Sequence, residues 1–144
     1  MKLSKNFSLR ELTKSETAAR YGIDNKPNPE FIVNLQKLCE TVLQPIRDEY
    51  KKPIVVSSGY RCQLLNKIVG GKPGSCHVTG SAIDIQSVKD TKEENKKLFD
   101  LIVDMIKSNK IVVRTLIDER NYSWLHIDIN DKYHSYRKNY IIHL

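Results

Sequence analysis

Trp124-Leu125-His126-Ile127-Asp128-Ile129 alternates polar or aromatic residues with aliphatic ones without a slip. In a β-strand successive side chains point to opposite faces. Leu125, Ile127 and Ile129 therefore share one face, which belongs to a core. Trp124, His126 and Asp128 share the other. A strand that only filled a core would not gather an indole, an imidazole and a carboxylate on one face; the wall of a cleft would. The strand is expected from Tyr122 to Ile129, after a turn at Arg120-Asn121. Ile111 to Ile117 is read as the strand before that turn.

Upstream, Ala82-Ile83-Asp84-Ile85 has the same logic. Its isoleucines face one way, so Asp84 faces the other. Between this strand and the last two, residues 91–107 repeat apolar side chains at helical spacing: Leu98, Leu101, Ile102, Met105 and Ile106. Earlier, Phe31, Ile32, Leu35, Leu38, Cys39, Val42, Leu43 and Ile46 mark a long amphipathic helix, with Asn28 as N-cap and Pro29 at its first position. Pro45 is expected to kink or restart it. Lys51-Lys52-Pro53 reads as a turn, and Ile54-Val55-Val56 as a short buried strand. Ser8 with Glu11 three residues on predicts a capping box and a short first helix. Five of the six glycines fall within residues 57–86, which reads as a constrained, function-bearing loop. The sum is a single α+β domain over residues 1–144, with helices packed on a small, mainly antiparallel sheet.

The chain carries a formal charge of +7. That balance suits anionic partners, bacterial walls among them. No dense Arg/Lys block with interleaved aromatics appears, so no nucleic-acid partner is expected. Three scattered cysteines, Cys39, Cys62 and Cys76, do not make a disulfide scaffold or a closed structural zinc site. Cys76 is expected to pack behind its loop as a small hydrophobe. Residues 1–10 lack an apolar signal core and no run is long enough to span a membrane, so synthesis in the cytoplasm is expected. A monomer is the default. The tail, Lys132 to Leu144, is basic and aromatic, and His134 and His143 in it are read as solvated.

Asp84 amid strand hydrophobics needs a partner, since a buried unpaired carboxylate is costly. His77, in Ser75-Cys76-His77-Val78-Thr79-Gly80, enters from the glycine-rich stretch, and His126 comes from the last strand. Two imidazoles and one carboxylate, with a fourth position open, are the ligand set of a catalytic zinc. The same residues also make ordinary hydrogen-bond pairs, and composition does not choose between the two.

The wider pattern does. Ser58-Gly59-Tyr60-Arg61, Leu65-Asn66, Val69-Gly70-Gly71, Ser75, His77, Gly80, Ala82, Asp84 and finally Trp124-Leu125-His126 resemble the signature of the M15 metallopeptidases. Phe7-Ser8-Leu9 and Leu43-Gln44-Pro45-Ile46-Arg47 extend the resemblance, which covers most of residues 7–130. That family includes zinc D-alanyl-D-alanine carboxypeptidases and phage L-alanyl-D-glutamate endopeptidases. The resemblance implies a fold like theirs and a zinc ion on His77, Asp84 and His126. It implies hydrolysis of peptidoglycan stem peptides, with Arg61 holding substrate and stabilising charge. Ser75 matches a substrate-contacting serine, and Trp124 is expected to line the cleft or plug its floor. Many members carry the general base three residues before the last histidine, where Ser123 stands here. Leu116-Ile117-Asp118-Glu119 resembles a segment of shorter relatives, and makes Glu119 the expected base, ahead of Asp118. Asp128 is instead placed to orient a ligand imidazole. A phage or prophage lysis enzyme, acting on the wall after release, fits this reading. The alternative is a zinc-containing module that binds the wall or serves a phage particle without cutting, which Ser123 would favour.

Overall fold

In the computed structural model, which describes residues 1–143, the chain begins with two short helices, α1 (Leu9–Thr13) and α2 (Glu16–Tyr21). Ser8 caps α1 and Glu11 reaches back to it, so the capping box is present. The α1 side chain Leu12 is fully buried.

Helix α3 (Pro29–Leu38) starts on the Asn28 cap, as read. The expected single long helix is broken into three parts. A π-helical turn (Cys39–Leu43) joins α3 to α4 (Gln44–Tyr50), which restarts with Pro45 in its first turn. Pro45 has no N–H and its ring would strike the carbonyl four residues back. One extra residue per turn relieves that clash, and Gln44 N–H reaches Cys39 O instead. Lys51 ends α4 in the left-handed region at φ 64°, and strand β1 (Ile54–Ser58) follows.

The glycine-rich stretch is not loop throughout. It holds helix α5 (Gln63–Ile68) and a 3-10 turn (Cys76–Thr79) before strand β2 (Ala82–Ser87). Helix α6 (Lys92–Lys107), capped by Thr91, leads to β3 (Thr115–Glu119), β4 (Trp124–Asp128) and β5 (Tyr140–His143). The sheet order is β1-β2-β4-β3-β5. All neighbours are antiparallel except β3 and β5.

Three strand readings are corrected. β1 is an edge strand with Val55 exposed, not a buried one. β3 begins at Thr115 rather than Ile111; Ile111 and Val113 are buried but lie before the ladder, and Val113 exchanges hydrogen bonds with Asn139. The tail, read only by composition, supplies β5. The turn between β3 and β4 has Arg120, Asn121 and Tyr122 all at positive φ.

The apolar face of the sheet, with Ile83, Ile85, Leu116, Leu125 and Ile127, packs on Leu35, Leu38, Leu43 and Ile46 and on Leu98, Phe99 and Ile102 of α6. Each fully buried aliphatic side chain contributes about 1.5–3 kcal/mol of transfer free energy. The helices thus claim one face, and the opposite face of β2, β3 and β4 is left to form a cleft.

Candidate metal centre

Cross-strand register brings the polar faces together. Asp84 on β2 pairs with His126 on β4, and His126 pairs in turn with Ile117 on β3. Asp84 Oδ1 lies 2.9 Å from His126 Nδ1 and 3.3 Å from His77 Nε2. One ligand atom from each of His77, Asp84 and His126 falls within 4.8 Å of the others.

Each imidazole is oriented from behind. His77 donates Nδ1–H to Gly59 O at 2.7 Å, which leaves Nε2 with its lone pair toward Asp84. Its backbone is set by the 3-10 turn. Ser75 Oγ accepts the His77 N–H, Arg61 N–H reaches His77 O, and Asn34 of α3 holds Thr79 O. Gly80 ends the turn at φ +77°, and a Cβ there would meet Phe31 O at 2.6 Å. His126 Nε2 lies 2.8 Å from Asp128 Oδ2, and Asp128 Oδ1 is 3.3 Å from Arg114. Arg114 also donates to Ser135 O at 2.8 Å.

The electrostatics follow from this crowding. Burial pushes the Asp84 carboxyl up, but hydrogen bonds from His126 and His77 outweigh it and hold the group well below the usual range. Burial pulls His126 down, and Asp128 and Asp84 push it up to about 9. A positive charge is thus favoured between these carboxylates, whether carried by a proton or by a metal ion. The donor set fits a divalent cation such as zinc: two imidazoles with defined lone pairs, one ionised carboxylate, and carboxylate or carbonyl support behind each imidazole.

The three residues line a cleft of about 530 Å³, together with Arg61, Ser75, Glu119 and Trp124. Arg61 donates to Asn66 Oδ1 at 3.0 Å and to Ser58 Oγ at 3.2 Å. Both partners are neutral, so neither cancels the guanidinium charge. Gly71 makes this possible, since a Cβ there would overlap the Asn66 amide oxygen and crowd an Arg61 nitrogen. Glu119 pairs with Trp124 across the β3–β4 ladder, which makes it the diagonal neighbour of His126 on the cleft face.

Asp118, one residue away, is turned to the opposite face, buried, with an oxygen 3.0 Å from His143 Nδ1. Ser123 Oγ is spent on Arg120 O in the turn. Burial pushes the Cys76 thiol up to about 12, so it sits behind the loop as a neutral, apolar-like group.

His134 departs from its expected solvated state. Its side chain is 13% exposed and lines the cleft, with Nδ1 2.7 Å from Asp131 Oδ1 and Nε2 2.9 Å from Gly74 O. His143 is exposed but engaged with Asp118. Sequence reasoning passed over Arg114, Asp131, His134 and Asn25, whose side chain bridges Thr13, Tyr60 and Cys62 beside Arg61. For Arg114 a signal existed: a cation between Val113 and Thr115 in an otherwise apolar run needs a buried partner, by the same argument that singled out Asp84.

A family model described as Peptidase M15 matches residues 5–128, most of the chain. No curated protein matches it.

Proposed function

The chain belongs to the M15 peptidase family, and from that premise we propose that it is a zinc enzyme that hydrolyses peptide bonds in peptidoglycan stem peptides. The observation that carries the reading is the convergence of His77, Asp84 and His126 donor atoms within 4.8 Å at the floor of an open cleft. Bound there, zinc supplies Lewis-acid polarisation of a carbonyl and a water whose pKa falls to about 7.

The rest of the chemistry belongs to the chain. Arg61 holds a substrate oxygen, a carbonyl developing negative charge or a carboxylate, through the guanidinium face that Asn66 and Ser58 leave uncommitted. Glu119 takes a proton from the attacking water and delivers it to the leaving amide nitrogen, so one carboxylate serves as base and then as acid. It keeps the cleft face of β3, where Asp118 does not. Asp128 accepts the His126 Nε2–H and fixes that ring's tautomer, with Arg114 set against its other oxygen. Trp124 walls the cleft beside Glu119, and Ser75 shapes the turn that presents His77. A second cleft of about 440 Å³ adjoins across Arg61 and has room for the remainder of an extended peptide.

Action on the cell wall after release from the producing cell, as a phage or prophage lysis enzyme, follows from this reading. A non-cutting wall-binding module would need no acid on the cleft face, and Glu119 there disfavours it. The test is digestion of purified peptidoglycan and synthetic stem peptides, read by mass spectrometry, with chelator and with zinc returned. Cleavage that disappears with chelator and returns with zinc supports the reading. Intact substrate with one zinc bound per chain overturns it in favour of the binding module.

A further inference from the structure

We propose that Arg137 reads the substrate: its guanidinium, on the wall of the metal cleft, binds a second carboxylate, so that the preferred peptide carries a free acid near the bond to be cut. The inference rests on the peptidase reading above and adds to it the substrate's charge.

Arg137 lies in segment 130–137, beyond the residues that the family model matches. The segment has one enforced shape. Asn130 Nδ2 donates to Arg137 O at 2.7 Å and Asn130 Oδ1 accepts from Arg137 N at 3.0 Å, which closes the loop with the arginine at its seam. It is also tied to the walls of the metal cleft. Thr79, in the turn that bears His77, donates to Asp131 at 2.6 Å; His134 meets Gly74 O at 2.9 Å; Arg114 donates to Ser135 O at 2.8 Å. The loop fixes where the arginine's backbone stands before a ligand arrives, which lowers the ordering cost of binding.

The guanidinium is aimed but not neutralised. Its central carbon stands 5.4 Å from the Tyr140 ring centroid, a cation–π contact that orients it and leaves its N–H donors free. Among the described residues no carboxylate lies in ion-pair range of it. It lines the same cleft as His77, Asp84 and His126. The neighbouring Arg114 is already committed to Asp128, and Arg61 is reserved for the reacting end. Lys72 is another cation on the rim, but an ammonium on a flexible stem lacks the planar fork that matches a carboxylate.

The probe is a pair of pentapeptides, L-Ala-γ-D-Glu-L-Lys-D-Ala-D-Ala, with the glutamate α-carboxyl either free or amidated. Cleavage (kcat and KM) and calorimetric binding are measured on the zinc-loaded protein, on Arg137→Gln and Arg137→Lys, and on Lys138→Gln as a control for bulk charge. The expected result is a preference for the free acid of about fivefold, expressed in KM and in Kd, the size that a solvent-accessible charge contact gives. Arg137→Gln removes the preference, Arg137→Lys restores part of it, and Lys138→Gln keeps it. Equal use of both peptides by the unaltered protein, or a preference that survives Arg137→Gln or is lost in Lys138→Gln, overturns the inference and leaves the proposed function standing. Cleavage and binding of neither peptide overturns the stem-peptide reading and this inference together.

Discussion

Two histidine–aspartate clusters stand a few residues apart in the same cleft, and they are built for opposite ends. In one, His126 Nδ1 lies 2.9 Å from Asp84; in the other, His134 Nδ1 lies 2.7 Å from Asp131. The difference is what else shares the carboxylate. His134 has its other nitrogen on Gly74 O, and Asp131 has its other oxygen on Thr79, so no second imidazole shares the Asp131 carboxylate. That cluster is a clamp between the tail and the loop before His77. In the first cluster two imidazoles converge on a single oxygen of Asp84, each backed by a Gly59 carbonyl or an Asp128 carboxylate. Donors that face one another across a shared space, rather than pairing off, are the mark of a cation site. A His–Asp contact alone says little; a second imidazole aimed at the same carboxylate oxygen is what sets the first cluster apart.

The comparison is broken most severely by Asp84→Asn. The expected outcome is loss of bound zinc, from one ion per chain to none by elemental analysis, with loss of hydrolysis and little change in circular dichroism. Glu119→Gln should separate chemistry from metal: kcat falls by about 10²–10⁴-fold while zinc content stays at one per chain. If activity survives that change, Glu119 is not the proton carrier. Arg114→Met removes the support behind Asp128 and His126. We expect about 10–100-fold weaker zinc binding in a chelator competition, with the fold retained.

The clamp should respond in the reverse sense. His134→Ala is expected to cost about 1–3 kcal/mol in chemical denaturation, the price of leaving Asp131 and Gly74 O without their partner, while zinc affinity barely moves. The smallest expected effect is in acid. Burial raises the Asp131 carboxyl, but Thr79, His134 and the neighbouring donors outweigh it, so the folded value lies below the ordinary one. A depressed carboxyl contributes stability that is fully present above the unfolded pKa, about 4, and is lost as pH falls through the folded value. The melting temperatures of the unaltered protein and Asp131→Asn should therefore differ at pH 6 and converge in that acid window. A difference that persists unchanged into acid would show that the carboxylate's charge is not what the clamp uses.

Much of this was legible along the chain because it depends on local periodicity. The strand faces at Asp84 and His126 followed from alternation, whereas Glu119 was preferred to Asp118 on the resemblance alone, because the strand was expected to end at Ile117 and the ladder in fact runs on to Glu119. Caps at Ser8 and Asn28 and the restart at Pro45 followed from single-residue backbone chemistry. Helix α5 was hidden because five of the six glycines surround it and its outer side chains, Leu64 and Ile68, are exposed. The tail was read as solvated because its partners, Thr79, Gly74 and Arg114, are distant in sequence and ordinary in composition.

The sequence by itself determined most of the helices, the strands β2 and β4, the polar face of the sheet and the residues capable of ligation. Those properties are set by spacings of two to four residues, over which the backbone's own geometry dictates direction. Only the tertiary structure decided which nitrogen of each histidine is free, that Arg61 is held by neutral partners, and that segment 130–137 walls the cleft with no carboxylate among the described residues in ion-pair range of Arg137. Each of these depends on a hydrogen bond between groups far apart along the chain. Such a bond is fixed when the helices bury one face of the sheet and leave the other for the tail to complete.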